Sequence, residues 1–205
     1  MKILTLSIFM FVVTGCSTKL KDLQISKDTI SYEELSAKYI SCSGRGIMSS
    51  IGAYKGKLSF SFLSQNDSSF FQFQDFLGRK VLLMWLTPNS ANAWNILENK
   101  RYNYDHIKDY FPLLSVVDPI SITRFLWGHE SIYDANDFKV IGEGANELSI
   151  TYEKSNESVD LIDKAIFKDI TNRKEVTIIL KSRVHSDEYI DLEGVYDKAS
   201  LKAPT

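Results

Sequence analysis

Three strand-length segments follow one another almost without pause between Lys57 and Thr87, and this spacing constrains the fold more than any other feature of the chain. The first, KLSFSFLS (57–64), alternates strictly, with Leu58, Phe60 and Phe62 on one face and Ser59 and Ser61 on the other. SFFQFQ (69–74) repeats the alternation at Phe71 and Phe73. VLLMWLT (81–87) is apolar on both faces, so both sides of that strand should be covered. The same signature extends in both directions. YISCSGRGIMSSI (39–51) reads as extended and Gly-punctuated, and a further strand or two fits between Ala91 and Tyr104. Beyond a helical interruption come FKVIGEG, ELSITYE, VDLIDKAIFKDI and KEVTIILKSRV, with period-two character at Leu148, Ile150 and Tyr152 and at Val176, Ile178 and Leu180. Roughly ten short strands joined by tight turns imply an antiparallel sheet in meander order.

Helical signals are confined to two places. In SYEELSAKY, Ser31 and Glu34 form a capping box that satisfies free amides at a helix start. The interruption, DHIKDYFPLLSVVDPISITRFLWGHES, predicts two short helices: Pro112 breaks or kinks the first, Asp118 caps the second, Pro119 suits its first position and Gly128 its end. Its apolar residues Ile122, Phe125, Leu126 and Trp127 exceed one narrow stripe, which leaves two readings. Either these helices close one side of the sheet's core, or they form a lid over an apolar cavity. With 12% of residues aromatic, Phe60, Phe62, Phe71, Phe73, Leu83, Trp85, Ile150 and Tyr152 are the candidate lining of such a cavity. Plain core packing is the alternative for each of them.

The connection between the second and third segments, in FQFQDFLGRKVLLMW, holds Phe76 and Leu77 where hairpin tips normally carry Gly, Asn, Asp or Ser. Two large apolar side chains at a tip need a reason.

The chain begins MKILTLSIFMFVVTGC, with Lys2, an apolar run from Ile3 to Val13, and small residues before Cys16. That run is shorter than the ~20 residues of a transmembrane helix, so residues 1–15 read as a secretory signal. VTGC resembles the lipobox of bacterial lipoproteins, which implies acylation of Cys16, a lipidated tether over 16–27 and one domain over 28–205. Cys42 is then the only other thiol, so no internal disulfide is expected. A formal net charge of −2 with no basic block argues against nucleic acid as a partner. G-x-S-x-G and H-E-x-x-H motifs are missing, and His106, His129 and His185 are scattered, so the expectation is no enzyme, no metal and no cofactor.

In this order, the Cys16 lipobox, the Arg45-Gly46 pair in the opening strand, the Leu77-Gly78 tip and the Phe125–Gly128 helix end resemble the LolB family of outer-membrane lipoprotein receptors, related in fold to the periplasmic carrier LolA. The resemblance covers about residues 36–183. It implies a mainly β fold with a helical lid, a half-open antiparallel barrel wrapped round an apolar cavity. It further implies a monomer, lipid-anchored at the periplasmic face of the outer membrane. Such a receptor takes acylated lipoproteins from a LolA-like carrier and inserts them into the inner leaflet of the outer membrane. In the family the tip leucine, here Leu77, projects into solvent and serves insertion, not receipt. Phe76 stands where the family usually has Pro, and His129-Glu130 replace an apolar residue and Pro. A structural or assembly lipoprotein of the same fold, with a filled core and a protein partner in the envelope, is the competing expectation.

Overall fold

The computed structural model describes residues 30–52, 55–110, 117–130, 148–154, 161–170 and 173–200. Among these residues four helices, α1 (Tyr32–Lys38), α2 (Tyr104–Tyr110), α3 (Pro119–Trp127) and α4 (Leu192–Ser200), accompany nine strands. These are β1 (Ser41–Ile51), β2 (Gly56–Gln65), β3 (Ser68–Gln74), β4 (Lys80–Thr87), β5 (Ser90–Asn95), β6 (Lys100–Tyr102), β7 (Leu148–Lys154), β8 (Ile162–Asp169) and β9 (Lys174–Ser186). FKVIGEG and Pro112 lie outside the described residues.

All pairs are antiparallel, in one open sheet of order β6-β5-β4-β3-β2-β1-β9-β8-β7. The order is two meanders joined edge to edge, not one. β1 through β6 follow in sequence, and β9 then pairs with β1, so the opening strand lies inside the sheet. Its glycines make that position workable. The Phe62 and Phe60 rings lie over Gly44 and Gly46, where any Cβ would collide with them and with the β9 carbonyls of Ser182 and Ile179.

Register decides which face each apolar residue takes. Phe62 lies opposite Phe71 and Phe60 opposite Phe73; Phe71 and Phe73 lie opposite Met84 and Leu82. These residues share the inner face and pack with Cys42, Leu86, Phe167 and Leu180 in the main core. Phe70 lies opposite Trp85 and Gln72 opposite Leu83, which puts Leu83 and Trp85 on the outer face. There a second cluster forms with Trp94, Ile96 and the α4 residues Leu192 and Val195. β4 is thus covered on both sides, as its doubly apolar sequence requires.

The Ser31–Glu34 capping box begins α1 as expected, with Glu34 N–H donating to Ser31 Oγ at 3.1 Å and Ser31 N–H to Glu34 Oε2 at 2.7 Å. α3 starts at Pro119 and ends at Gly128 with φ +108°, but its N-cap Asp118 makes no side-chain cap bond. α4 begins behind Asp191, whose carboxylate accepts from Gly194 N–H at 2.9 Å.

Candidate functional site

The hairpin tip is built by residues other than its apolar pair. Asp75 Oδ1 accepts from the backbone N–H groups of Leu77 (2.9 Å) and Arg79 (3.0 Å), and Asp75 Oδ2 takes Arg79 Nε at 2.8 Å. Gly78, at φ +77°, reverses the chain, and its N–H donates to the Asp75 carbonyl at 3.0 Å. Desolvation opposes the charged Asp75 carboxylate, yet these Arg79 and Leu77 bonds outweigh it and hold its pKa below the usual value. Turn chemistry therefore resides at 75, 78 and 79. Positions 76 and 77 need no special backbone angle, and their side chains point into solvent, 89% and 63% exposed.

The inner face is covered by α3 at one end and is less deeply buried at the other. At the end where β1 begins, α3 lies on the phenylalanines. Trp127 Nε1 donates to Ser64 Oγ at 2.9 Å, Thr123 Oγ1 bonds Ser69 Oγ at 2.9 Å, and Phe125 meets Tyr152 of the far strand β7 with ring centroids 6.4 Å apart. One nine-residue helix thus touches β2, β3 and β7, so the sheet curves about it. Of the expected lid residues, Phe125, Leu126 and Trp127 are buried and Ile122 is half-buried.

Helix α3 is fastened at its C-terminus. Arg183, with a side chain only 6% exposed, donates through Nε to the Leu126 carbonyl (2.6 Å) and through its Nη2 to the Phe125 (3.3 Å) and Ile162 (2.6 Å) carbonyls, and pairs with Asp163 at 2.9 Å. Ile162 N–H reaches the Gly128 carbonyl at 2.9 Å, and His185 Nε2 lies 3.2 Å from the Trp127 carbonyl. A cation among the last carbonyls of a helix is the favourable arrangement for its dipole. Burial lowers the pKa of His185 and of His129, and the nearby Arg183 charge adds to both shifts.

Toward the other end, Met48, Leu58, Leu82, Ile150, Val176 and Ile178 pack on the same core but are only half-buried. This is the end from which the 76–77 tip emerges. Phe60, Phe62, Phe71 and Phe73 themselves are 2–4% exposed and in mutual ring contact.

Six of the eight expected lining residues, Phe60, Phe62, Phe71, Phe73, Ile150 and Tyr152, therefore share the inner face, whereas Leu83 and Trp85 do not and lie beneath α4. Leu82, Met84 and Leu86 take the inner positions on β4 instead. A pocket of about 560 Å³ is lined by Arg45, Lys181, Ser59, Ser61, Gln72 and Gln74 of the outer face together with Gly46, Ile47 and Phe60. Cys16 lies outside the described residues. No protein-family model and no curated protein matches the chain.

Proposed function

We propose that the protein is a lipoprotein of the outer membrane that accepts acylated lipoproteins from a soluble periplasmic carrier and places them in the inner leaflet. The observation that carries this reading is the rigidly built tip presenting Phe76 and Leu77 to solvent. A turn held by these four side-chain and backbone hydrogen bonds has no folding need for two exposed apolar residues. It has an evident use if they enter a bilayer. The curved inner face supports the reading as a half-open barrel. Its half-buried residues form an apolar mouth at the tip end, while α3 and the Arg183 clamp close the opposite end. Acyl chains entering that mouth exchange one apolar contact for another, so a preference of only ~1.4 kcal/mol over the carrier shifts the hand-over tenfold. Free in water the same chains lose ~0.8 kcal/mol per methylene, which makes a shielded transfer necessary.

The dense packing of Phe60, Phe62, Phe71 and Phe73 favours a second reading, a structural or assembly lipoprotein with a filled core and a protein partner. Depletion in the host separates the two. Other lipoproteins accumulating away from the outer membrane supports the receptor; normal delivery with a damaged envelope supports the structural role and rejects the receptor.

A further inference from the structure

Among the described residues, four turns at one end of the sheet share a pattern that the β2–β3 and β4–β5 turns at the other end lack. Because successive strands reverse direction, the β1–β2, β3–β4, β5–β6 and β8–β9 connections all emerge at the same end. Each presents an exposed large apolar side chain: Ile51 (58%), the Phe76-Leu77 pair, Leu97 (62%) and Ile170 (54%). Each also holds a residue in the left-handed region, Gly52, Gly78, Asn99 and Arg173 respectively. An exposed apolar side chain beside a left-handed residue thus occurs at all four turns, and a side-chain scaffold like that of Asp75 recurs at β5–β6, where Asn95 Oδ1 accepts from the N–H groups of Leu97 (3.1 Å) and Glu98 (3.2 Å). An exposed basic residue follows every one of these turns: Lys57, Lys80, Lys100 and Lys174.

At the opposite end, the β2–β3 turn is Asn66-Asp67, both at positive φ, and the β4–β5 turn is Pro88-Asn89. These are ordinary turn residues with no large apolar side chain. Three apolar residues are exposed toward that end but off its strand-to-strand turns: Val184 lies within β9, Tyr189 follows Asp187 and Glu188, and Ile40 sits on the α1–β1 connection.

We infer that the four turns form a single docking face for a bilayer containing anionic phospholipid. The apolar tips enter the interface, and Lys57, Lys80, Lys100 and Lys174 meet the phosphates around them. The inference rests on the membrane reading of the 76–77 tip and extends it to three turns that the tip does not need. Its mechanical consequence is orientation. The half-buried residues Met48, Leu58, Leu82, Val176 and Ile178 open toward the same end, so a docked molecule aims its apolar mouth at the bilayer instead of lying on its side.

The test uses the full chain purified from its host's membrane and reconstituted in phosphatidylethanolamine–phosphatidylglycerol vesicles containing brominated acyl chains. A fluorophore is attached through Ile51→Cys, Leu77→Cys, Leu97→Cys or Ile170→Cys, with Asn89→Cys as the control; Cys42 is buried and does not compete. Quenching is expected at all four turns and not at Asn89. It should be lost at positions 97 and 170 in the Lys100→Glu/Lys174→Glu variant and in pure phosphatidylcholine. Quenching at Leu77 alone overturns the four-turn face and leaves the tip reading standing. Quenching at none of the four overturns both, and equal quenching at Asn89 rejects the orientation.

Discussion

Replacing the tip pair, Phe76→Ser/Leu77→Ser, should separate membrane insertion from folding. Transfer of a whole Phe or Leu side chain out of water is worth ~1.5–3 kcal/mol. With Phe76 89% and Leu77 63% exposed, most of that remains to be gained when the folded protein meets a bilayer. Allowing for a wet interface, the pair supplies about 3 kcal/mol to bilayer contact, which is on the order of 100-fold in partitioning. Folded stability should move by less than ~0.5 kcal/mol, because the side chains removed touch solvent. The Asp75, Gly78 and Arg79 bonds that shape the turn survive the substitution. The assay loads the protein with an acylated client and follows two quantities, retained client and its appearance in added vesicles, beside a thermal melt. Retention should be unchanged and release slowed by about two orders of magnitude. A melting midpoint lowered by more than ~4 °C would refute the reasoning, since it would mean the pair packs as part of the fold. So would equal loss of retention and release.

Three further outcomes follow from the α3 clamp and the core behind it. Arg183→Met removes the donors to the Phe125, Leu126 and Ile162 carbonyls and strands Asp163, and should cost about 3 kcal/mol in urea denaturation, with Arg183→Lys recovering part of it. His129 and His185 bind protons less readily folded than unfolded, so stability is complete above the unfolded histidine value of ~6.5 and declines as pH falls below it. Urea midpoints at two pH values on either side should show this, and His185→Gln should flatten the profile. Burial pushes the Cys42 thiol up to about 12, so a thiol reagent at neutral pH should modify it only as fast as the protein unfolds.

Much of the sheet could be read in the sequence, because hairpin strands declare themselves by local alternation. KLSFSFLS and SFFQFQ place Phe60, Phe62, Phe71 and Phe73 on one face, and the register agrees. β4 defeats the same reasoning: VLLMWLT is apolar at every inner and outer position, so period two cannot say whether Leu82 or Leu83 faces the core. The bulge between Phe73 and Gln74 and the pairing with β3 decide it. Helix α4 went unforeseen although Asp191 followed by Leu192, Val195 and Ala199 carries a cap and an apolar spacing. The pairing of β9 with β1 joins residues far apart in sequence, and no local pattern encodes it. Nor does any mark Arg183 as the clamp on α3; only the fold brings its guanidinium to those carbonyls. The tip was legible as an oddity, and its exposure and its Asp75 scaffold explain how the oddity is tolerated.

A client lipoprotein carrying a photoreactive group on its acyl chain puts the acyl-binding proposal to the most direct test. Irradiation of its complex with the protein, followed by peptide mapping, should label the inner face, at the half-buried mouth residues Met48, Leu58, Leu82 and Ile178 and the phenylalanines behind them. Labelling confined to the outer face around Leu83, Trp85 and α4, or no labelling from a client that binds, would contradict it.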